Sequence, residues 1–232
     1  MNWKQLLSSK RIGKDRIDPL LPHRSPFEMD ADRIMFSSAF RRMSDKMQVH
    51  GLSGSAYVRT RLTHSLEVSR VARSLGALAG QHVVETHLRG GDVTAADLGH
   101  IVSAAALAHD IGNPPFGHTG EHVISSWCQT SPLGTKLMQQ IPDRSRPSFE
   151  YFEGNAHGFR ILTQLQGWRE TGGLQLTAAT LGGLTKYPWG AEHRNAKNKF
   201  GFFDSEAEIF AEVAQATGML KGDRPGTWCR HP

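Results

Sequence analysis

The stretch Ile101 to Glu121, IVSAAALAHDIGNPPFGHTGE, constrains this chain more than any other. From Ile101 to Ala108 it is apolar nearly all round, the pattern of a helix buried in the middle of a bundle. Thr94 is placed to cap the start of that helix, which is predicted to run to about Ile111. The run ends in the adjacent pair His109-Asp110. Gly112 fits a C-cap, and Pro114-Pro115 prevent continuation. Thr119 is read as the cap of the next helix, with Val123, Ile124 and Trp127 on its inner side. His118 and Glu121 fall at its start, three apart and on neighbouring faces.

A buried, unpaired carboxylate is costly, so Asp110 needs a positive partner. Two partners remain open at this level: an arginine such as Arg59 or Arg61, or a metal ion. His64 bears on the choice. A helix is predicted over 57–79, with Leu62, Leu66, Val71, Leu75 and Leu78 as its apolar side. His64 heads the stripe continued by Val68, Val71 and Leu75, so it is directed inward, as a satisfied core histidine or as a ligand. His64, His109 and Asp110 together offer the N and O donors that a water-activating divalent ion needs. Adjacent helical residues diverge by about 100°. His109 and Asp110 therefore reach one ion only near the helix end, where the break at Gly112 to Pro115 opens space.

The remaining segments read as helices and loops. Ser25-Pro26-Phe27-Glu28 starts a helix predicted through about residue 48, with Phe36, Phe40, Met43 and Met47 on one face. Residues 129–148 read as an exposed excursion. Asn155 to Gln166 reads as an amphipathic helix, and Leu174 to Leu184 as a short one. Tyr187 to Gly201 is a basic loop. Ser205 and Glu208 have capping-box spacing before a helix through Phe210 and Val213, with Gly218 just beyond it. No strict alternation persists, so the expected fold is mainly α, with helices packed around 101–111. Residues 1–24 form an irregular basic lead-in and 25–232 the domain.

Composition narrows the function classes. No apolar run approaches the ~20 residues of a membrane helix, and the N-terminus is too polar for a signal peptide, so a cytoplasmic protein without a membrane partner is expected. Cys128 and Cys229 lie far apart and make neither a disulfide framework nor a thiolate metal site. Net charge is +5 with 12 histidines, which favours anionic partners and imidazole metal ligands.

The segments RTRLTHSLEVSRVARSLG (59–76), AHDIGNPPFGHTGE (108–121), YFEGNAHGFRIL (151–162) and LTKYPW (184–189) resemble the deoxyguanosine triphosphate triphosphohydrolases of the HD superfamily. The likeness runs from about Asp30 to the last residue. It implies an HD-domain helical bundle that hydrolyses a deoxynucleoside triphosphate, dGTP foremost, to deoxynucleoside and tripolyphosphate. On matching positions His64, His109 and Asp110 are metal ligands for Mg2+ or Mn2+, and His118 and Glu121 are the catalytic pair. Gln48, Asn155, Lys186, Tyr187 and Lys199 bind substrate. For Lys186 the alternative is a solvated loop lysine, and for Tyr187 simple packing. The family also implies a homo-oligomer, and leaves allosteric dNTP or single-stranded DNA as further partners. Its metal site is completed by a later aspartate beyond a stretch resembling WCRHP. The chain is thus expected to be the N-terminal part of such a domain, or else a non-catalytic module that binds nucleotide or single-stranded DNA.

Overall fold

The computed structural model describes residues 2–14, 23–48, 59–167, 173–221 and 228–229. The helices are α1 (Trp3–Leu6), α2 (Pro26–Met35), α3 (Ser38–Arg41), α4 (Arg61–His87), α5 (Ala95–Ala108), α6 (His118–Thr130), α7 (Pro132–Met138), α8 (Pro147–Glu150), α9 (Gly154–Arg160), α10 (Ala178–Leu184) and α11 (Ala207–Thr217). Two two-residue strands, β1 (Leu220–Lys221) and β2 (Trp228–Cys229), pair antiparallel. The mainly α expectation holds, and α5 is the central rod, packed against α4, α2 and α10.

Local chemistry sets the helix ends. Thr94 accepts from Asp97 N–H and the Asp97 carboxylate accepts from Thr94 N–H, a complete capping box at the start of α5. Ser25 caps α2 by accepting from Glu28 N–H. The helix expected through residue 48 instead breaks at Phe36, because the Ser37 hydroxyl caps a new turn. Phe40 and Met43 stay buried, whereas Phe36 turns outward at 69 % exposure. Thr119 caps nothing: α6 starts at His118, with Gly117 at φ 56° as its N-cap. The Ser205–Glu208 box does not form either, since Ser205 Oγ donates to Glu206 Oε1 at 2.9 Å. Gly218, at φ 75°, closes α11 as expected. The 129–148 excursion is partly helical, through α7 and α8.

Beyond Leu62, which packs on the core as expected, the long helix α4 reverses the expected facing. Its buried positions are Arg61, Ser65, Ser69, Gly76, Gly80 and Val83. Leu66, Val71, Leu75 and Leu78 are exposed. The reason is close packing on α5. A Cβ at Gly76 would lie 3.1 Å from Gly99 Cα, and one at Gly80 would lie 2.8 Å from Ala95 O. Ser69 and Ser103 share a 2.8 Å hydrogen bond in the same seam. Small residues let the two backbones approach, so the larger aliphatics point away. On α6, Val123, Ile124 and Trp127 are likewise exposed rather than inward.

The lead-in is built into the domain. Ala178 N–H donates to Lys10 O at 2.8 Å, and Ile12 N–H to Leu176 O at 3.1 Å. Arg11 donates to the fully buried Asp30 at 2.7 Å, and Asp30 also accepts from Thr177 N–H and its hydroxyl. Among the described residues no helix is long and apolar enough to cross a membrane. Residues 57–58, the start of the helix predicted over 57–79, lie outside the described residues.

Candidate metal centre and catalytic pair

α5 ends at Ala108, with His109 as its C-cap, so His109 and Asp110 leave the helix where the chain turns. Gly112 serves close approach rather than a left-handed cap. A Cβ there would lie 2.1 Å from both Gly154 O and Gly158 N, so only glycine lets α9 cross this corner. Across the seam, α4 carries His64. The His64 and His109 rings meet edge to face with centroids 5.3 Å apart. One ligand atom from each of His64, His109 and Asp110 lies within 4.8 Å of the others.

The donor set fits a divalent cation. His109 Nδ1 is 2.7 Å from Ala106 O, which can only accept, so Nδ1 carries the proton and Nε2 keeps its lone pair for a metal. Asp110 Oδ1 lies 3.6 Å from that Nε2. Asp110 is buried and held from two sides: Arg61 donates to Oδ2 at 2.8 Å and Asn113 to Oδ1 at 2.6 Å. The two partners left open for Asp110 are therefore not exclusive. Arg61 pairs with it while the carboxylate still faces the imidazoles.

The second cluster stands on the first turn of α6. His118 Nδ1–H donates to Glu121 Oε2 at 2.7 Å, and Gly154 N–H donates to Oε1 at 2.8 Å. Lys199 reaches Oε2 at 3.2 Å. Burial alone would push the Glu121 carboxyl up, but the His118 hydrogen bond, the Gly154 amide and the Lys199 ammonium together hold it below the usual range. Burial alone would likewise lower Lys199, yet Glu153 and Glu121 outweigh it and raise the ammonium. Glu121 is thus an anion and Lys199 a cation at neutral pH. The imidazole of His118 is 84 % exposed and faces solvent.

Asn113 and Gly154 join the two clusters. A Cβ at Gly154 would lie 2.3 Å from Asn113 Oδ1 and 2.8 Å from Glu121 Oε1. His157, on α9, donates through Nδ1 to Gly112 O at 2.9 Å; burial keeps its imidazole pKa low.

The substrate-binding candidates divide. Asn155 and Lys186 line one recess together with His109. Gln48 stands beside the start of α4, and its buried Oε1 finds no donor among the described residues. Tyr187 packs on Trp189 at 5.6 Å, with the Lys186 ammonium 5.4 Å from its ring. Asn113, Gly154 and Glu153 went unread in the sequence. Glu153 carried a legible signal, an acidic side chain immediately before Gly-Asn at a helix start.

Two imidazoles and a carboxylate from a helix pair, backed by an arginine, define the class of the protein. Residues 61–150 match the HD domain. The chain is 46% identical over 246 residues to a deoxyguanosinetriphosphate triphosphohydrolase-like protein of Synechocystis sp., covering 100% of this chain and 55% of the relative. It is 46% identical over 236 residues to one of Pseudomonas aeruginosa, covering 100% of this chain and 52% of the relative. It is 35% identical over 239 residues to a deoxyguanosinetriphosphate triphosphohydrolase of Salmonella arizonae, covering 87% of this chain and 46% of the relative. The chain belongs to the deoxyguanosinetriphosphate triphosphohydrolase-like family of HD-domain proteins. It spans about half the length of the curated relatives it matches.

Proposed function

We propose that the chain carries the metal-binding and catalytic side chains of a hydrolase that converts a deoxynucleoside triphosphate, dGTP foremost, to deoxynucleoside and inorganic tripolyphosphate. The observation that carries this reading is the approach of the His64, His109 and Asp110 ligand atoms within 4.8 Å. The family names support the substrate class.

In this reading His64, His109 and Asp110 hold Mg2+ or Mn2+. When bound, the ion would supply Lewis-acid activation of water and polarisation of a P–O bond. Water attacks the α-phosphorus, the bond to the 5′ oxygen breaks, and that oxygen takes up a proton. Glu121, ionised and adjoining His118, orients the water, and the pair moves the two protons. Lys186 and Lys199 offset the charge of the phosphates in the transition state. Asn155, Gln48 and Tyr187 bind the sugar and nucleoside parts. The exposed aliphatic side chains of α4 support a homo-oligomer, and the +5 charge supports further anionic partners, either a regulatory dNTP or single-stranded DNA. The compartment proposed is the cytoplasm.

The test is product analysis with dGTP and manganese. The expected result is deoxyguanosine and tripolyphosphate in equal amounts, abolished by His109→Ala. Release of pyrophosphate or orthophosphate, or an unaffected His109→Ala variant, would rule the reading out.

A further inference from the structure

Glu153 is 1 % exposed, and a carboxyl group so deeply buried needs partners for both of its oxygens. Its two oxygens have different tasks. Oε2 caps α9, accepting from Asn155 N–H at 2.6 Å and Ala156 N–H at 3.2 Å. Oε1 accepts from the Asn155 side-chain amide at 2.9 Å and from Lys199 Nζ at 3.0 Å. Capping needs only the first oxygen. The second oxygen gathers Asn155 and Lys199 around one carboxylate fixed to the backbone of α9.

Lys199 sits in the basic loop, and the same ammonium reaches Glu121 at 3.2 Å. A lysine ammonium is a point charge on a long flexible stem, and holding it in one place needs fixed acceptors. Glu121 alone supplies one. Glu153 supplies the other from a rigid helix start, and so determines where along Glu121 the positive charge lies.

We propose that Glu153 is the positioning residue of the site: it holds the Lys199 ammonium against Glu121 and turns the Asn155 amide in the same network. The inference rests on the hydrolase reading for its consequence in catalysis. Glu153 does not touch substrate. It acts through Lys199, the group meant for phosphate, and through the carboxylate that Lys199 covers.

Glu153→Gln separates the two tasks. Glutamine keeps one carbonyl oxygen for the cap, but its NH2 group turns donors toward Lys199 and Asn155, which are themselves donors. The variant is expected to lose roughly 10- to 100-fold in kcat, the scale of a misplaced catalytic group. The loss in kcat caused by Glu153→Gln should be smaller in the Lys199→Met background than in the wild type, because the part that acts through Lys199 is already gone. Losses that multiply, or a Glu153→Gln enzyme of unchanged kcat, would overturn the proposal. A spectroscopic arm is independent of turnover. In Lys199→Met, whose substitution lies in a loop, the carboxyl carbon resonance of Glu153 should shift; an unmoved resonance would overturn the proposal even if no nucleotide were hydrolysed. An active wild type with an unmoved resonance sinks the positioning role alone. An inactive wild type with a shifted one sinks the hydrolase reading alone.

Discussion

Arg61 donates to Asp110 Oδ2 at 2.8 Å from a position one helical turn before His64. A single helix therefore delivers both a metal-ligand candidate and the counter-charge that orients another. Its guanidinium also closes over the corner, where a Cβ at Gly117 would lie 2.6 Å from Nη2.

Arg61→Gln should weaken divalent-metal binding by about 10- to 100-fold, the usual effect of removing a partner that orients a ligand. Calorimetric titration with Mn2+ measures it. An affinity equal to wild type would show that Asp110 needs no orienting partner.

His118→Ala should spare metal binding while reducing kcat by about 10²- to 10⁴-fold, the range for a positioned acid or base. Its ring contacts Glu121 and not the metal candidates. Parallel metal titration and steady-state kinetics check the separation. Loss of both together would place His118 among the ligands.

The pKa of Glu121 is held down in the folded state, where burial is outweighed by His118, Gly154 and Lys199. A depressed carboxyl stabilises the fold above its unfolded value, about 4.3, and loses that contribution as pH falls through the lower folded value. Glu121→Gln should therefore lower the melting temperature at pH 7. The gap to wild type should close as the pH is taken below 4.3. Thermal melts at a series of pH values test this; a gap that widens in acid contradicts the assignment.

Gly112→Ala should destabilise by about 3 kcal/mol or more, because backbone atoms of α9 stand in the way and cannot swing aside as a side chain could. Gly183→Ala, whose Cβ would meet Ile101 and Ala105 at ordinary contact distances of 3.7 and 3.8 Å, should be close to neutral. Denaturant titrations compare them.

The features legible in the sequence are those decided within a few residues. The Thr94 cap, the Ser25 cap, the double-proline corner and the His109-Asp110 pair all depend on near neighbours. The Thr119 and Ser205 caps failed because other partners outbid them: Gly117 takes the N-cap position of α6, and Glu206 with Arg160 engages the Ser205 hydroxyl. The facing of α4 was illegible for a different reason. Apolar periodicity assumes that large side chains mark the buried face, and here a glycine and serine seam does so. The Asn113–Gly154 link and Glu153 depend on a contact between segments about forty residues apart, and no local pattern encodes such a contact.

The inverted facing of α4 also reverses its tolerance to substitution. A saturation scan along this rod would come out inside-out: valine at Gly76 and alanine or valine at Gly80 would be rejected, while glutamine or lysine at Val71, Leu75 and Leu78 would leave an isolated chain standing and more soluble. A hydropathy profile would rank those same positions in the opposite order.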